Sequence, residues 1–429
     1  MSHHDDPSGI RATRPTTLVL AAVEVLATQF FEPLTVGDLL HDAWEGAAAA
    51  IAGAGGRVVP PPEYPDDPTA AYVLHEATFP KLERLADGHV SLDDLATAAL
   101  EELLARRRDV HTILCPRGRF WCVEPDPASP AQWASRTFGV VLTDSPPLTV
   151  SDVLPQGPAQ RAGLRRGQAV LTINRHPTAH LRGLQATARL DWQPGALNRL
   201  NVRAPGKAPI DLDLRSDLVP MPSTKLLPGP FGYLRMDGFL LNAVETAALR
   251  AALLGFERVG ARGWIIDMRW NGGGPSIQLS RLLVNQGRLF SRVRHNDVQM
   301  PDGTLLPMRQ DIDFDGTALP FQRPLVVLIG PGSVSGAESF AGPMQAHGRA
   351  ILVGERTAGG CGLVRSVNLA PGWSIFFASH QTDFGPDEWR LNRIGVTPDV
   401  QVTPTPADEA AGSDPQLDQA LEILRTSRG

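Results

Sequence analysis

A serine stands at a predicted turn between a strand and a helix, where its hydroxyl could act as a nucleophile. The stretch IGPGSVSGAESF, residues 329–340, continues the apolar run PLVVLIG and leads into a predicted helix that ends at Gly348. A serine at such a turn exposes its hydroxyl, and the amide after it lies at a helix N-terminus, where negative charge is stabilised. Ser335 is therefore a candidate nucleophile for acyl transfer, and the ordinary role of a helix cap stays open.

Acyl transfer also needs two hydrogen-bond donors for the oxyanion of the tetrahedral intermediate. The amide of Gly336, directly after Ser335, is one candidate. The stretch NGGGP, residues 271–275, follows the predicted buried strand GWIIDMRW, and glycines at the end of a strand let the backbone approach a ligand closely. We expect Gly273 to supply the second amide.

The composition limits which group could accept the serine proton. The chain has only three lysines and none after Lys225, whereas its other 37 basic residues are arginine. Its eleven histidines include no H-E-x-x-H pattern, and Cys115, Cys122 and Cys361 give neither a disulfide framework nor a metal-ligand cluster. We therefore expect no metal and no organic cofactor. A neutral histidine has a suitable pKa for a general base near pH 7.

Length, charge and hydropathy exclude several protein classes. A chain of 429 residues predicts about three domains, and its net charge of −6 argues against affinity for nucleic acid or anionic membranes. The chain contains no run of 18 apolar residues, so no transmembrane helix is predicted. The early run TTLVLAAVEVLATQF reads as an amphipathic helix rather than a signal peptide, which favours the cytoplasm without settling the compartment. The arginine-rich and alanine-rich usage suggests a GC-rich bacterial genome.

The pattern along the chain predicts a multidomain α/β protein. Residues 15–110 read as a helical domain, with N-caps at Thr35 and Ser91. Residues 134–217 carry short alternating runs typical of a β-rich module. Residues 223–404 alternate strands and helices and form the predicted catalytic core, to which residues 109–125 would contribute. Residues 405–429 are a polar tail with a short helix.

Four stretches of the C-terminal half resemble the carboxyl-terminal processing (tail-specific) serine protease family. They are DMRWNGGG at 267–274, GSVSGAESFAG at 332–342, GRAILVGERTAGG at 348–360 and GVTPDVQV at 395–402. The resemblance implies a crotonase-like α/β core. The glutamate of the serine block falls on Glu338, for which a first-turn acidic residue is the simpler interpretation. Pro343 lies inside the helix predicted after Ser335 and should kink or shorten it.

The β-rich module resembles the PDZ domain that these proteases carry. The stretch VSDVLPQGPAQRAGLRRGQAVLTINRHP resembles the PDZ pattern, with Gln168 in place of the usual Asp. PDZ modules add an extended peptide as a strand and hold its C-terminal carboxylate in backbone amides. The resemblance places that carboxylate loop at Phe138, Gly139 and Val140.

The proposed base also comes from the resemblance. Many relatives use a lysine in a T-F-G-K-G segment, and Gly360 falls on that position here. The sequence instead resembles the branch of the tricorn core and the interphotoreceptor retinoid-binding protein, whose catalytic members take a histidine from a D-x-H-T-like segment. DVHT places that histidine at His111. The branch glutamate that orients it falls on Asn392, with Glu388 as a neighbouring substitute.

The resulting expectation is a serine endopeptidase that cleaves proteins in or near their C-terminal regions. Its partners would be protein or peptide substrates with C-terminal tails, and its oligomeric state stays open. The alternative is a non-catalytic peptide- or ligand-binding protein that keeps the protease fold, as the retinoid-binding relative does. A crotonase-type acyl-CoA enzyme explains neither the PDZ-like module nor the serine block.

Overall fold

The computed structural model describes most of the chain. The described residues are 13–115, 123–126, 129–143, 147–154, 157–179, 181, 183–221, 223–239, 243–294, 309–320, 323–384, 389–390, 393–405, 408, 411 and 413–427. Within them no helix is long and apolar enough to cross a membrane. The predicted mixture of helices and strands is confirmed.

The N-terminal part is a helical bundle. Its helices are α1 (Pro15–Gln29), α2 (Val36–Gly53), α3 (Pro68–Thr78), α4 (Pro80–Ala86) and α5 (Leu92–Ala105). Thr35 and Ser91 cap α2 and α5 as predicted, because each side chain accepts the amide three residues on. The prediction missed α3 and α4. Asp67 caps α3 and prolines open both helices, a start signal that the surrounding prolines obscured.

A small β module follows. Its elements are β2 (Val123–Asp126), β3 (Ser129–Thr137), β4 (Val140–Leu142), β5 (Val150–Val153), α6 (Pro158–Arg161), β6 (Ala169–Ile173), β7 (His176–Pro177), α7 (Gly183–Ala188), β8 (Asn198–Arg203), β9 (Ile210–Leu214) and β10 (Asp217–Met221). Its apolar side chains form a core of their own. Gln168 is buried, and its side chain accepts the Arg165 amide at 2.8 Å, so this departure from the motif still closes its turn.

A central sheet organises the C-terminal half. Its strands are β11 (Ser223–Leu227), β12 (Phe231–Arg235), β13 (Gly263–Asp267), β16 (Leu325–Ile329), β17 (Ile351–Gly354) and β21 (Val400–Gln401), in that order. All neighbours are parallel except β11 and β12. Because β13 and β16 are adjacent and parallel, the loops after them meet at one edge of the sheet.

Helices cover both faces of this sheet. They are α8 (Ala243–Arg258), α9 (Ile277–Leu283), α10 (Gly336–Ala346) and α11 (Pro415–Thr426). Ile266 and Val327 share a core with Leu253 of α8 and Phe340 of α10. The alternate residues of the same strands pack with α11. The strands are buried on both faces, which explains why they read as continuous apolar runs. Helix α10 runs through Pro343 without ending there.

A second sheet joins the N-terminal bundle to the core. Its strands are β1 (Ile113–Cys115), β14 (Arg288–Val293), β15 (Arg309–Asp313), β18 (Gly362–Ala370), β19 (Trp373–Phe384) and β20 (Trp389–Arg390). β1 pairs antiparallel with β19, with Ile113 opposite Phe376. Ile375 and Phe377 of β19 lie in the same core as helices α1, α2 and α5. The segment after α5 is therefore fixed to the C-terminal half.

The β module also docks on the core. Arg166 pairs with Glu355 at 2.6 Å, and both side chains are 15% exposed. A Cβ at Gly332 would lie 2.9 Å from the Val141 side chain and 2.5 Å from the Arg269 carbonyl oxygen. Gly332 thus lets the module and the loop after β13 approach the turn that leads to Ser335.

Candidate active site

Ser335 lies on a strained turn between β16 and α10. Its φ of 58° and ψ of −110° are unusual for a residue with a side chain. One side chain and one backbone amide brace the turn. Ser333 accepts the Gly330 amide and donates to the Met268 carbonyl, which ties the turn to the loop after β13. The amide of Val334 donates to the Asn271 carbonyl at 3.0 Å. The surrounding bonds therefore hold the strained serine in place.

Glu338 joins the serine turn to the loop 357–360. Its side chain is fully buried and accepts four hydrogen bonds. One oxygen accepts the amides of Ser335 and Gly360, at 2.9 and 2.8 Å; the other accepts the Gly359 amide and the Thr357 hydroxyl, at 2.8 and 2.6 Å. Burial raises the pKa of Glu338 to about 7, although the four donors oppose that rise. Glu338 does lie in the first turn of α10, as the simpler interpretation states, but that interpretation missed its bonds to the loop 357–360.

The glycine loop after β13 lies directly against the serine. A Cβ at Gly273 would come within 3.1 Å of the Ser335 hydroxyl, and one at Gly336 would come 1.8 Å from the Gly274 carbonyl oxygen. The amide of Gly273 donates to the Asn271 side chain at 2.9 Å, and its carbonyl accepts the Phe239 amide. Gly273 was therefore the wrong choice as oxyanion donor, because its N–H is already bonded.

Gly274 takes the place that the sequence gave to Gly273. Among the described residues, the amides of Gly274 and Gly336 have no hydrogen-bond acceptor, and both residues line the cavity at Ser335. The sequence could not distinguish Gly274 from Gly273 as the residue with the unbonded amide, because the choice depends on which backbone N–H donates to the Asn271 side chain. The signal was present: an Asn two residues before a glycine can accept that amide in a local turn.

His111 reaches the same cavity from the N-terminal part of the chain. It lies between α5 and β1, and its ring packs edge-on against Phe376, with ring centroids 6.3 Å apart. His111 and Ser335 both line a cavity of about 300 Å³. The described residues show no hydrogen bond between the serine hydroxyl and the imidazole. Catalytic hydrogen bonds often tighten only when substrate binds.

Val110 and His111 occupy the space that the Cβ of a lysine at residue 360 would need. A Cβ at Gly360 would lie 2.2 Å from the Val110 side chain and 3.0 Å from His111 Cε1. No real Cβ tolerates the first distance, so residue 360 must be glycine while Val110 and His111 occupy this position. A lysine at residue 360 and the present position of the DVHT segment therefore exclude each other in this structure.

Asp109 shapes the histidine turn from two residues before His111. One carboxylate oxygen accepts the His111 amide at 3.0 Å and the Thr112 hydroxyl at 3.1 Å. The other oxygen, and Nδ1 of His111, are buried without a hydrogen-bond partner in the described part of the chain. Burial lowers the pKa of His111, and the negative charge of Asp109 opposes that lowering. The sequence prediction quoted Asp109 in its motif and gave it no role.

The remaining predicted residues have mixed outcomes. Asn392 and Glu388 lie outside the described residues, so their roles stay predictions. Arg393 follows Asn392, and its guanidinium donates to the Arg107 carbonyl and to Glu32, near the start of the histidine turn. Two other histidines, His89 and His380, lie outside the motifs described above and were weaker candidates for the base. His89 is exposed, and His380 lies on β19, where burial lowers its pKa to about 4; neither lines the cavity.

The predicted carboxylate loop is part of the β module. Gly139 has a φ of 67°, and its amide donates to the Thr137 hydroxyl at 2.9 Å. Phe138 is buried with its carbonyl accepting the Ala159 amide, and Val140 pairs with Val153. At the far end of β4, helix α7 approaches so closely that a Cβ at residue 183 would lie 2.4 Å from the Leu142 carbonyl oxygen. An added strand beside Leu142 would require that helix to move.

Comparison with known proteins identifies the C-terminal half. Residues 230–402 match the model of peptidase family S41. A carboxyl-terminal-processing protease of Synechocystis sp. is 30% identical over 294 residues, which cover 65% of each chain. A chloroplastic C-terminal processing peptidase of Tetradesmus obliquus is 29% identical over 273 residues, 58% of this chain and 55% of the relative. The chain thus spans less than two thirds of the length of these two relatives.

A solved structure shows the same fold over almost the whole chain. The photosystem II D1 C-terminal processing protease superposes with a TM-score of 0.56 at 22% identity, covering 95% of this chain and 99% of the other. The residues matched by the family model begin with β12 and end after β21, so they include the glycine loop and Ser335. Residues 230–402 are therefore a domain of peptidase family S41, and the carboxyl-terminal processing proteases are homologues of this chain.

Proposed function

We propose that this chain is a serine peptidase that cleaves protein substrates in or near their C-terminal regions. The observation that carries the proposal is the meeting of four groups at one cavity. They are the strained Ser335, the imidazole of His111, and the unbonded amides of Gly274 and Gly336. A nucleophile, a base and two oxyanion donors are the groups that acyl transfer requires.

The chemistry follows from these positions. The Ser335 hydroxyl attacks the scissile carbonyl, His111 takes the proton, and the amides of Gly274 and Gly336 bind the oxyanion. His111 then returns the proton to the leaving amine, and the acyl-enzyme remains on Ser335. Water, deprotonated by the same imidazole, attacks the acyl-enzyme carbonyl. His111 returns that proton to the Ser335 oxygen as the acyl C–O bond breaks and the second product leaves.

Asp109 is our candidate for the group that stabilises the protonated histidine. Its unpaired oxygen and Nδ1 of His111 belong to the same turn, and its charge raises the pKa of the imidazole against the effect of burial. The branch glutamate position holds Asn392, an amide without charge. A carboxylate two residues before the histidine supplies the negative charge that this amide lacks.

The finer architecture supports recognition of substrate tails. The β module carries the sequence pattern of a PDZ domain and touches the serine turn through Val141 and Gly332. In our proposal it receives the substrate tail, and the central sheet with its helices is a crotonase-like core. Opening the contact between α7 and Leu142 would accompany tail binding.

Covalent labelling tests the proposal directly. A fluorophosphonate probe should label the full-length protein, and peptide mapping should locate the adduct on Ser335. His111→Ala should slow labelling, because the serine then lacks a base. The control is His89→Ala, which changes an exposed histidine outside the cavity. The proposal fails if Ser335 remains unlabelled in folded protein and no peptide with a free C-terminus is hydrolysed.

The second candidate is a non-catalytic binding protein with the protease fold. It is favoured by the lack of a hydrogen bond between Ser335 and His111 among the described residues, and by Asn392 in place of the glutamate. Such a protein would bind C-terminal peptides without cleaving them. Saturable peptide binding by wild type, with no labelling and no turnover, would select this candidate.

A further inference from the structure

Arg292 forms part of the cavity wall and has no acidic partner among the residues that the structure describes. It lies on β14 opposite Thr382 of β19, and both residues line the cavity that contains Ser335. Its guanidinium carbon is 5.7 Å from the centre of the Phe290 ring. Its one hydrogen bond in the described structure is a long contact of 3.5 Å to the Gln310 side chain. No carboxylate of the described residues lies within ion-pair distance of Arg292.

The neighbouring carboxylates are already engaged by other groups. Asp311 accepts the Ser291 hydroxyl at 2.6 Å and the Arg309 guanidinium at 2.9 Å. Asp383 accepts the Gln381 side chain at 2.6 Å. These bonds leave the positive charge of Arg292 without a counter-charge from the strands on either side of it.

Other cations strengthen the positive field around Arg292. Arg294 is 5% exposed, donates to the Thr28 carbonyl, and has a buried Nε without a partner in the described part of the chain. Arg365 contacts the Gln29 side chain. The charges of these two arginines and of Arg292 add to burial in lowering the pKa of His380. The sheet beside the cavity therefore favours an anion.

The rest of the cavity wall is mostly apolar. Its apolar members are Pro275, Ile277, Phe290, Leu363, Val364 and Phe376. In such surroundings an ion pair is stronger than in water, and the half-buried guanidinium of Arg292 would gain from a carboxylate partner. A volume of about 300 Å³ accommodates one long side chain or the last residue of a peptide. The cavity thus fits a short aliphatic group that ends in a carboxylate.

We propose that Arg292 binds a carboxylate of the peptide substrate beside the bond that Ser335 cleaves. The carboxylate belongs either to an aspartate or glutamate side chain or to the substrate's own C-terminus. The planar guanidinium binds either source through two parallel hydrogen bonds. This inference rests on the proposed function and adds a substrate class to it.

Matched peptides separate the two sources. One pair differs only in Glu or Gln next to the scissile bond, and a second pair differs only in a free or amidated C-terminus. For wild type we expect kcat/KM to be at least about 10-fold higher for the charged member of one pair, since losing a buried ionic contact costs that much or more. The pair that shows the difference identifies the source of the carboxylate.

Variants then assign the preference to Arg292. Arg292→Met keeps an apolar side chain of similar length and should reduce the preference to less than about 3-fold, while the uncharged peptides are still cleaved. Arg292→Glu should favour a lysine-containing peptide. Arg292→Lys keeps the charge and should retain part of the preference. The control is Arg281→Met, which removes an arginine that pairs with Asp315 and does not line the cavity.

Two results would overturn the inference: no preference for either charged peptide in wild type, or a preference that persists unchanged in folded Arg292→Met. Failure of the proposed function would look different, because no peptide would be cleaved and Ser335 would not be labelled. In that case fluorescence anisotropy of the same peptides on Ser335→Ala and on Ser335→Ala with Arg292→Met decides the question. Tighter binding of the carboxylate peptide that requires Arg292 supports the inference, and equal binding overturns it.

Discussion

The turn that carries Ser335 and the turn that carries His111 reach one cavity from distant parts of the sequence. At the serine turn, Glu338 accepts four hydrogen bonds and Ser333 joins two loops. At the histidine turn, Asp109 accepts two bonds with one oxygen. Its other oxygen, and Nδ1 of His111, have no partner among the described residues.

This difference separates two tasks of buried polar groups. A fully bonded network fixes geometry, and here it holds a serine at a positive φ that it would not adopt alone. An unpaired buried oxygen costs stability and serves best where a new charge forms during a reaction. We therefore expect changes at the serine turn to affect folding and activity together, and changes at the histidine turn to affect mainly activity.

Removing either reacting group should have the largest effect. Ser335→Ala and His111→Ala should each reduce kcat/KM by at least about 10⁴-fold, because nucleophile and base act as a unit. The double variant should be no slower than the slower single variant. Steady-state kinetics on one fluorogenic peptide would measure all three. Retention of activity in His111→Ala would contradict the assignment of the base to the histidine turn.

Adding one methyl group at Gly360 should displace the histidine turn. The new Cβ would lie 2.2 Å from the Val110 side chain, so Gly360→Ala should reduce kcat/KM by about 10²-fold or more. Gly53→Ala is the matched control, because a Cβ at Gly53, the last residue of α2, meets no atom within 4 Å. Unchanged kinetics in Gly360→Ala would contradict the packing described here.

Glu338→Gln should damage the serine turn in both stability and activity. An amide group would face N–H and O–H donors that now bond to a carboxylate, at a cost on the order of 2 to 4 kcal/mol in the free energy of unfolding. We expect kcat/KM to fall by tens of fold. The control is Glu422→Gln, an exposed glutamate on α11. Urea unfolding and kinetics on the same preparations would test both effects.

The same variant should change the pH dependence of kcat/KM. The pKa of Glu338 is raised to about 7, so its protonation below that pH removes one acceptor from the four donors. Wild type should lose activity as the pH falls through about 7. Glu338→Gln should lack this ionisation. It should keep a second ionisation at lower pH, which belongs to His111. An identical acidic limb in both proteins would show that Glu338 does not control it.

Asp109→Asn should have a smaller effect, confined mainly to activity. Asparagine can still accept the His111 amide, so the turn should persist, but the negative charge is lost. We expect kcat to fall by about 10- to 100-fold. Because the carboxylate raises the pKa of His111, the ionisation assigned to His111 should move to lower pH in the variant. A purely structural role would lower stability and leave this ionisation in place.

The predicted role of Asn392 gives a complementary test. If Asn392 orients the histidine, Asn392→Glu should raise kcat, by about 10- to 100-fold when orientation is already correct. If Asp109 supplies the charge, the same substitution should change wild type little and restore activity to Asp109→Asn. Kinetics of the two single variants and the double variant would distinguish these outcomes.

Glu32→Ala should have the smallest effect. It removes the exposed partner of Arg393, whose guanidinium still bonds to the Arg107 carbonyl near the histidine turn. Exposed ion pairs contribute little, so we expect less than about 1 kcal/mol in stability and less than about twofold in kcat/KM. A larger loss of activity would show that the histidine turn depends on this surface contact.

Local sequence patterns predicted the strand and the helix on either side of Ser335. Ser335, its strand and its helix lie within about 25 consecutive residues, so apolar runs and turn residues located them. Glu338 was undervalued because three of its four donors come from the loop 357–360, which no pattern near the serine reveals. The choice between Gly273 and Gly274 depended on one side-chain hydrogen bond.

The histidine side could not be derived from local patterns alone. Nothing in DVHT indicates that β1 will pair with β19, so the position of His111 came only from the resemblance to a protease branch. No sequence pattern singled out Arg292, because β14 itself was not among the predicted strands. Its lack of a partner is a property of the assembled sheet, in which neighbouring carboxylates are bonded elsewhere.

Because β1 pairs with β19, the segment that carries His111 is synthesised long before the strand that holds it in place. His111 leaves the ribosome more than two hundred residues before Ser335, and β19, which pairs with β1, follows later still. At 5 to 20 residues per second the interval between His111 and Ser335 is roughly 10 to 45 seconds. During this interval a nascent chain carries the proposed base without a nucleophile. If the proposed function holds, hydrolytic activity begins only after β19 has been synthesised and has paired with β1, so base and nucleophile are not combined while the intervening residues are being made.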